Sequence, residues 1–146
     1  MARRPPSRGP LGVLIDASIL IEAERGRLDV DRWIDSRSPD EEFYLSTITA
    51  SELLHGVHRA VDPSVRARRA AFVEAIIDRL PILPLDLPVA RSHARLWAEL
   101  AAAGRLIGSH DLWLAASCIV HGLSLVTANR REFDRVPGLI VDIWNG

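Results

Sequence analysis

The sequence predicts an α/β domain with a mostly parallel central sheet of about five strands and helices on both faces. Three observations carry that reading. Short apolar runs alternate with helix-like stretches along the chain, the pattern of parallel strands joined by crossovers. Two of the runs, Gly12 to Ile15 and Leu123 to Thr127, read as strands buried on both faces, and both end on polar residues. The chain has 146 residues, the usual size of one domain, and 48% of them are apolar, enough for a real core.

Taken in order, residues 1–10 are basic and proline-rich and are expected to form a flexible arm, with residues 11–146 as the folded domain. After the first strand a helix is expected over Ile19 to Arg25, stopped by Gly26. Leu28 to Ser36 predicts a short helix with Trp33 and Ile34 inward. Ser38-Pro39-Asp40 predicts a loop, and Phe43 to Ser46 the second strand. Thr47-Ile48-Thr49 leads into a helix from about Ala50 to Ala60. Asp62-Pro63-Ser64 breaks it, with the proline placed for a helix start, and Val65 to Leu80 continues as a long amphipathic helix. Pro81 to Leu85 is an edge strand, marked by its prolines. Asp86 caps a helix over Val89 to Ala103. After the loop Gly104 to Gly108, Ser109 is expected to cap a helix over His110 to His121, which Gly122 ends. The Leu123 strand, a helical turn over Arg130 to Arg135 and a strand over Leu139 to Ile143 complete the chain. The Gly12 and Leu123 strands are expected to be the central pair, with a crevice at their carboxyl ends where the strand order reverses.

Composition excludes several chemistries. All 18 basic residues are arginine, so a P-loop, a Schiff-base enzyme and a kinase all lack their lysine. The single cysteine, Cys118, allows no internal disulfide and no cysteine zinc site; it lies in an apolar helical run and is expected to be buried and inert. The net charge of −1 gives no global attraction for nucleic acid, so a polyanion must be met locally or through a metal ion. No run approaches transmembrane length, and Asp16 and Glu22 break the apolar segment behind the basic start, so a cytoplasmic protein is expected.

Three acids and an amide fall at the crevice end of the sheet. Asp16 follows the first strand. Glu52 is placed in the first turn of the helix after the second strand, and Asp111 in the first turn of the helix before the Leu123 strand. Asn129 lies just past that strand. Each has a plain structural explanation: an Asx turn or N-cap for Asp16, a capping box Thr49-Ala50-Ser51-Glu52 for Glu52, the helix dipole for Asp111 and a turn for Asn129. Together they point at one place. Carboxylates sharing a crevice repel, and they call for a cation unless one of them is protonated. All-oxygen ligands suit Mg²⁺, with Mn²⁺ as a substitute, and such a site activates water on a phosphodiester. Ser18, and Thr127 at the end of the second apolar strand, are placed to hold a carboxylate or a metal-bound water. A histidine metal site built on Glu52, His55 and His58 lacks the second Glu-x-x-His that it needs.

Four segments carry a resemblance to a known family: Val13-Leu14-Ile15-Asp16-Ala17-Ser18; Thr47 to Gly56 around Glu52; Ile107 to Ala116 around Asp111; and Leu123 to Phe133 with Val136-Pro137-Gly138-Leu139. The chain resembles PIN-domain ribonucleases, specifically VapC-type toxins of bacterial toxin–antitoxin pairs, over nearly all of its length after Leu11. The resemblance implies a magnesium-dependent endoribonuclease, a homodimer, and a VapB-type antitoxin that wraps the toxin and occupies its site. It makes Asp16, Glu52 and Asp111 the metal-binding acids and Asn129 the fourth catalytic position, where the family often carries aspartate. An amide there orients water or phosphate but adds no charge. Two rivals stand beside the ribonuclease: a catalytically silent PIN-fold binding module and a metal-dependent nuclease acting on DNA. RNA contacts are expected at Arg25, Arg27, Arg130 and Arg131. Val57, Val61, Phe72, Val73, Ile76, Ile77, Trp97 and Trp113 supply more apolar surface than one sheet face needs, which suggests interfaces, although core filling accounts for Val73 and Ile76.

Overall fold

The computed structural model describes residues 12–37 and 39–143. The expected arm over residues 1–10, and Ser38 of the expected loop, lie outside the described residues. Five strands form one sheet in the order β3-β2-β1-β4-β5: β1 (Gly12–Ile15), β2 (Glu42–Ser46), β3 (Ile82–Leu83), β4 (Ser124–Thr127) and β5 (Val141–Ile143). Every pairing is parallel. The chain builds β1, β2 and β3 outward in one direction, then returns to add β4 on the other side of β1. The expected central pair is therefore the observed one, with Leu14 opposite Leu125. The two-residue β3 lies at the sheet edge, as its prolines require.

Alternation along β1 separates the two faces. Val13 and Ile15 enter a core with Ile19 and Leu20 of α1 (Ala17–Glu24), Val30 of α2 (Val30–Ser36), Leu53 and Val57 of α3 (Thr47–Arg59) and Val73 and Ile76 of α4 (Pro63–Arg79). Leu14 points the other way. It joins Leu125, Leu114 and Cys118 of α6 (Ser109–His121) and Phe133 of α7 (Arg130–Phe133). Between α6 and α5 (Leu87–Ala102) lies a further apolar cluster that includes Leu96, Leu100 and Leu112. Val57, Val73 and Ile76 are thus core residues, while Val61 is 93% exposed and Trp97 54%.

Asp86 caps α5 as expected, and Pro63 opens α4 behind the Asp62 cap. The Asp62 carboxylate accepts from Ser64 N–H at 2.8 Å with Pro63 in the first turn, and the Asp86 carboxylate accepts from Val89 N–H at 3.3 Å. Two starts differ from expectation. Helix α3 begins directly at the end of β2, because Ser46 itself caps it by accepting from Ile48 N–H at 3.2 Å. Thr49 is consequently buried inside the helix, the capping box does not form, and Glu52 falls in the second turn and not the first. Helix α6 takes Gly108 as its N-cap, and Ser109 is its first residue with no side-chain cap bond. Gly122 ends α6 at φ 64°, a left-handed conformation suited to glycine. Gly12 allows a close approach: a Cβ there would come within 2.4 Å of the Leu123 side chain.

Candidate active site

Asp16 stands at the carboxyl end of β1, with its backbone N–H bonded to Val126 O at 3.0 Å across the β1–β4 seam. It occupies the N-cap position of α1 but makes no side-chain cap bond, so capping does not explain it. The carboxylate is 7% exposed. Its Oδ2 accepts the Ser18 hydroxyl at 2.8 Å and the Thr127 hydroxyl at 2.7 Å. Each of these hydroxyls also accepts a backbone N–H, Ser18 from Ala128 at 3.0 Å and Thr127 from Asn129 at 2.9 Å. A hydroxyl has one proton to give, and both are given to Asp16. The carboxylate is thereby fixed from two sides. Both expected supports, Ser18 and Thr127, are in place.

Asp111 enters from the first turn of α6. Its carboxyl is pushed up to about 7, first by burial, then by a hydrogen bond with Glu132 and by the negative charges of Asp16, Glu132 and Glu52. Glu132 is lowered by the same hydrogen bond and by the Gly108 N–H, which lies 3.5 Å from its Oε2. The proton of the pair therefore sits on Asp111. Both carboxylates lie against Gly108, where a Cβ would make ordinary contacts at 3.6 Å with Asp111 Oδ2 and 3.7 Å with Glu132 Oε2.

Sequence reasoning missed Glu132. Within the closing segment it settles on Asn129 as the fourth position. Asp134 is engaged with Arg130 at 3.1 Å. The signal was available in Phe133: burying that ring, which is 1% exposed, anchors α7 and leaves the preceding residue at the crevice. Asn129 is exposed and serves the network through its backbone N–H.

Glu52 is at the rim. Its Oε1 lies 2.6 Å from His110 Nδ1, and it reaches Asp111 through its charge. The structure thus brings Asp16, Asp111 and Glu132 together and leaves Glu52 turned to His110. Among the described residues no group of three or more His, Cys, Asp or Glu side chains is arranged to hold a metal ion. Donor chemistry and charge nevertheless fit a hard divalent cation. The donors are all carboxylates, and burial, the bond to Glu132 and the neighbouring negative charges together push the Asp111 carboxyl up to about 7.

The expected RNA-contacting arginines divide. Arg27 is paired with Glu22 at 3.4 Å and Arg130 with Asp134, so both are held by acids of their own neighbourhood. Arg131 is exposed. Arg25 lines a cavity of about 520 Å³ between α1, α3 and α4, whose wall also includes Glu52 and His110.

The PIN domain family matches residues 13–139 of this chain. Among curated relatives, a Rickettsia felis protein named Ribonuclease VapC1 is 37% identical over 131 residues, covering 90% of this chain and 95% of the relative. A Salmonella typhimurium protein named tRNA(fMet)-specific endonuclease VapC is 37% identical over 100 residues, covering 68% of this chain and 74% of the relative. Among solved structures, DNA-bound VapBC from Salmonella typhimurium aligns with a TM-score of 0.82 at 29% identity, over 93% of this chain and all of that one. VapBC-5 from Mycobacterium tuberculosis aligns with a TM-score of 0.73 at 31% identity, over 94% of this chain and all of that one.

Proposed function

Since the chain belongs to the PIN-domain family, we propose that it is an endoribonuclease acting as the toxin of a VapBC-type toxin–antitoxin pair. The observation that carries this reading is the paired arrangement of a hydroxyl-fixed Asp16 beside a hydrogen-bonded Asp111–Glu132 couple. A scaffold has no need to concentrate negative charge in this way. The names of the relatives support the substrate class and the partner.

We assign Asp16, Asp111 and Glu132 to hold Mg²⁺, with Mn²⁺ able to substitute, and Glu52 to complete the charge from the rim. When bound, the cation supplies a Lewis acid for the scissile phosphate and lowers the pKa of a bound water. The chain's own residues do the rest. Ser18 and Thr127 hold Asp16 in one rotamer. Asp111 gives up its proton on loading, because a carboxyl ligand must be ionised. Gly108 offers its N–H to Glu132. Asn129 is assigned to orient water or phosphate without adding charge.

We further propose that the toxin works in the cytoplasm as a homodimer and is silenced by a VapB-type antitoxin. The exposure of Val61, Leu87, Trp97 and Leu106 supports surfaces that partners cover. No helix among the described residues is long and apolar enough to cross a membrane.

The test is cleavage of a total-RNA pool with and without Mg²⁺, with cut sites mapped, for wild type and Asp16→Asn. Mg²⁺-dependent cuts lost in the variant are expected. Full cleavage by Asp16→Asn overturns the assignment, and cleavage of DNA alone makes the chain a deoxyribonuclease. Co-expression with the adjacent reading frame tests the antitoxin, which should co-purify and suppress cleavage.

A further inference from the structure

We infer that the 520 Å³ cavity between α1, α3 and α4 is a nucleotide subsite, which receives an unpaired RNA nucleotide next to the scissile phosphate, with Arg25 and Arg59 on its phosphates. The inference rests on the ribonuclease reading above and adds where the strand lies.

Four observations carry it. The first is continuity: Glu52 and His110 line the cavity and also border the acid crevice, so a strand entering one passes directly to the other. The second is unbalanced charge. Of the charged groups on the wall, Arg69 is paired with Glu24 at 3.2 Å and also donates to Gly56 O at 3.0 Å, and Glu52 is paired with His110. Arg25 and Arg59 are exposed and have no side-chain partner among the described residues. Two guanidiniums on the wall thus have no ion-pair partner among the described residues, in a chain whose net charge is −1. A planar, always-charged donor fork is suited to phosphate.

The third observation is the wall itself. Ile21, Leu53 and the half-buried ring of Phe72 give an apolar side against which a base can lie. Single-stranded RNA is held in this way, with bases splayed against aromatic or guanidinium planes and a basic rim following the backbone. The fourth is size: ligand pockets run from about 300 to 1,000 Å³. The cavity also replaces Arg27 and Arg130 as the path of the strand, because those two already have carboxylate partners.

The experiment measures binding of a short, mixed-sequence, fluorescein-labelled single-stranded RNA to the full chain in EDTA, where turnover does not interfere. Arg25→Gln/Arg59→Gln is compared with Arg91→Gln/Arg95→Gln on α5, a helix that contributes nothing to this cavity. The cavity pair should bind about tenfold more weakly, and its plot of log affinity against log salt should be shallower by about 1.4, the slope of two lost single-strand phosphate contacts. The α5 pair should bind as wild type does. Thiouridine cross-links should map to α3 and α4 around His55 and Phe72. Unchanged binding by the cavity pair overturns the inference, as do cross-links outside α1, α3 and α4, which would leave the cavity to a protein segment. If wild type cleaves RNA with Mg²⁺ while the cavity pair binds normally, the subsite alone is wrong. If wild type neither binds nor cleaves RNA, the ribonuclease reading falls with it.

Discussion

The Thr127 hydroxyl donates to Asp16 Oδ2 at 2.7 Å across a sequence separation of 111 residues. The bond joins the ends of the two central strands and sets the orientation of a nearly buried carboxylate. Thr127→Val keeps the shape, removes this donor and leaves the Asn129 N–H without its acceptor. A loss of about 1–3 kcal/mol in urea unfolding is expected. RNA cleavage should fall roughly 10–100-fold, the range for a group that supports a metal ligand. Wild-type activity in this variant would show that Ser18 alone positions Asp16.

Asp111 predicts a pH dependence of the metal-free protein. Its carboxyl titrates near 7 when folded, against an ordinary value of 3.8. A group raised by folding is fully stabilising below its unfolded value, and that contribution is lost as pH rises through the folded one. In EDTA, thermal stability should therefore decline between about pH 4 and pH 7 through this group. Asp111→Asn should flatten the decline and be at least as stable as wild type at pH 8, while its cleavage activity is abolished. Thermal melts across this range check both statements. A variant that is less stable at pH 8 contradicts the repulsion argument.

Glu132 is the acid that the structure supplies beside Asp111, where the sequence reading has the amide of Asn129 as its fourth position. Glu132→Gln should lower Mg²⁺-dependent cleavage on the order of a hundredfold. It should also lower the proton affinity of Asp111 by removing a negative neighbour, visible in the carboxyl signals of an NMR titration. Asp134→Asn, at the Arg130 pair on the surface, should change cleavage by less than a factor of about two. Equal effects of the two substitutions would remove Glu132 from the site.

The exposed apolar residues give a prediction about assembly. At tens of micromolar the chain should sediment with the mass of two copies. A monomer at that concentration refutes the homodimer and leaves Val61 and Trp97 to other partners.

What was legible in the sequence follows from how each feature is encoded. Asp16 could be found because an apolar strand that stops on a carboxylate is a local pattern. Asp111 could be found because α6 is long and Gly122 marks its end, and because moving the cap from the expected Ser109 to Gly108 still leaves Asp111 in the first turn. The central pairing could be found because the buried strands are apolar on both faces. The start of α3 was misread because no loop separates it from β2: Ser46 ends the strand and caps the helix at once, whereas the sequence offers Thr49 as an equally suitable cap. Glu132 was missed because α7 spans only Arg130–Phe133, too short for a hydrophobic period to show which side faces the crevice. The engagement of Arg27 and Arg130 depends on neighbouring acids, and of these only Arg130–Asp134 has helical spacing that could have been read.

The return of the chain from the β3 edge to place β4 beside β1 has a consequence for synthesis. Asp16 is made well before its Thr127 partner and Glu132, which follow it by more than 100 residues. A nascent chain on the ribosome carries the first acid without the strand that fixes it, and the Asp111–Glu132 couple does not exist until α7 has been translated. The site therefore completes itself only after β4 and α7 have joined the sheet, so a chain that has folded no further than β3 holds the first acid without the rest of the site.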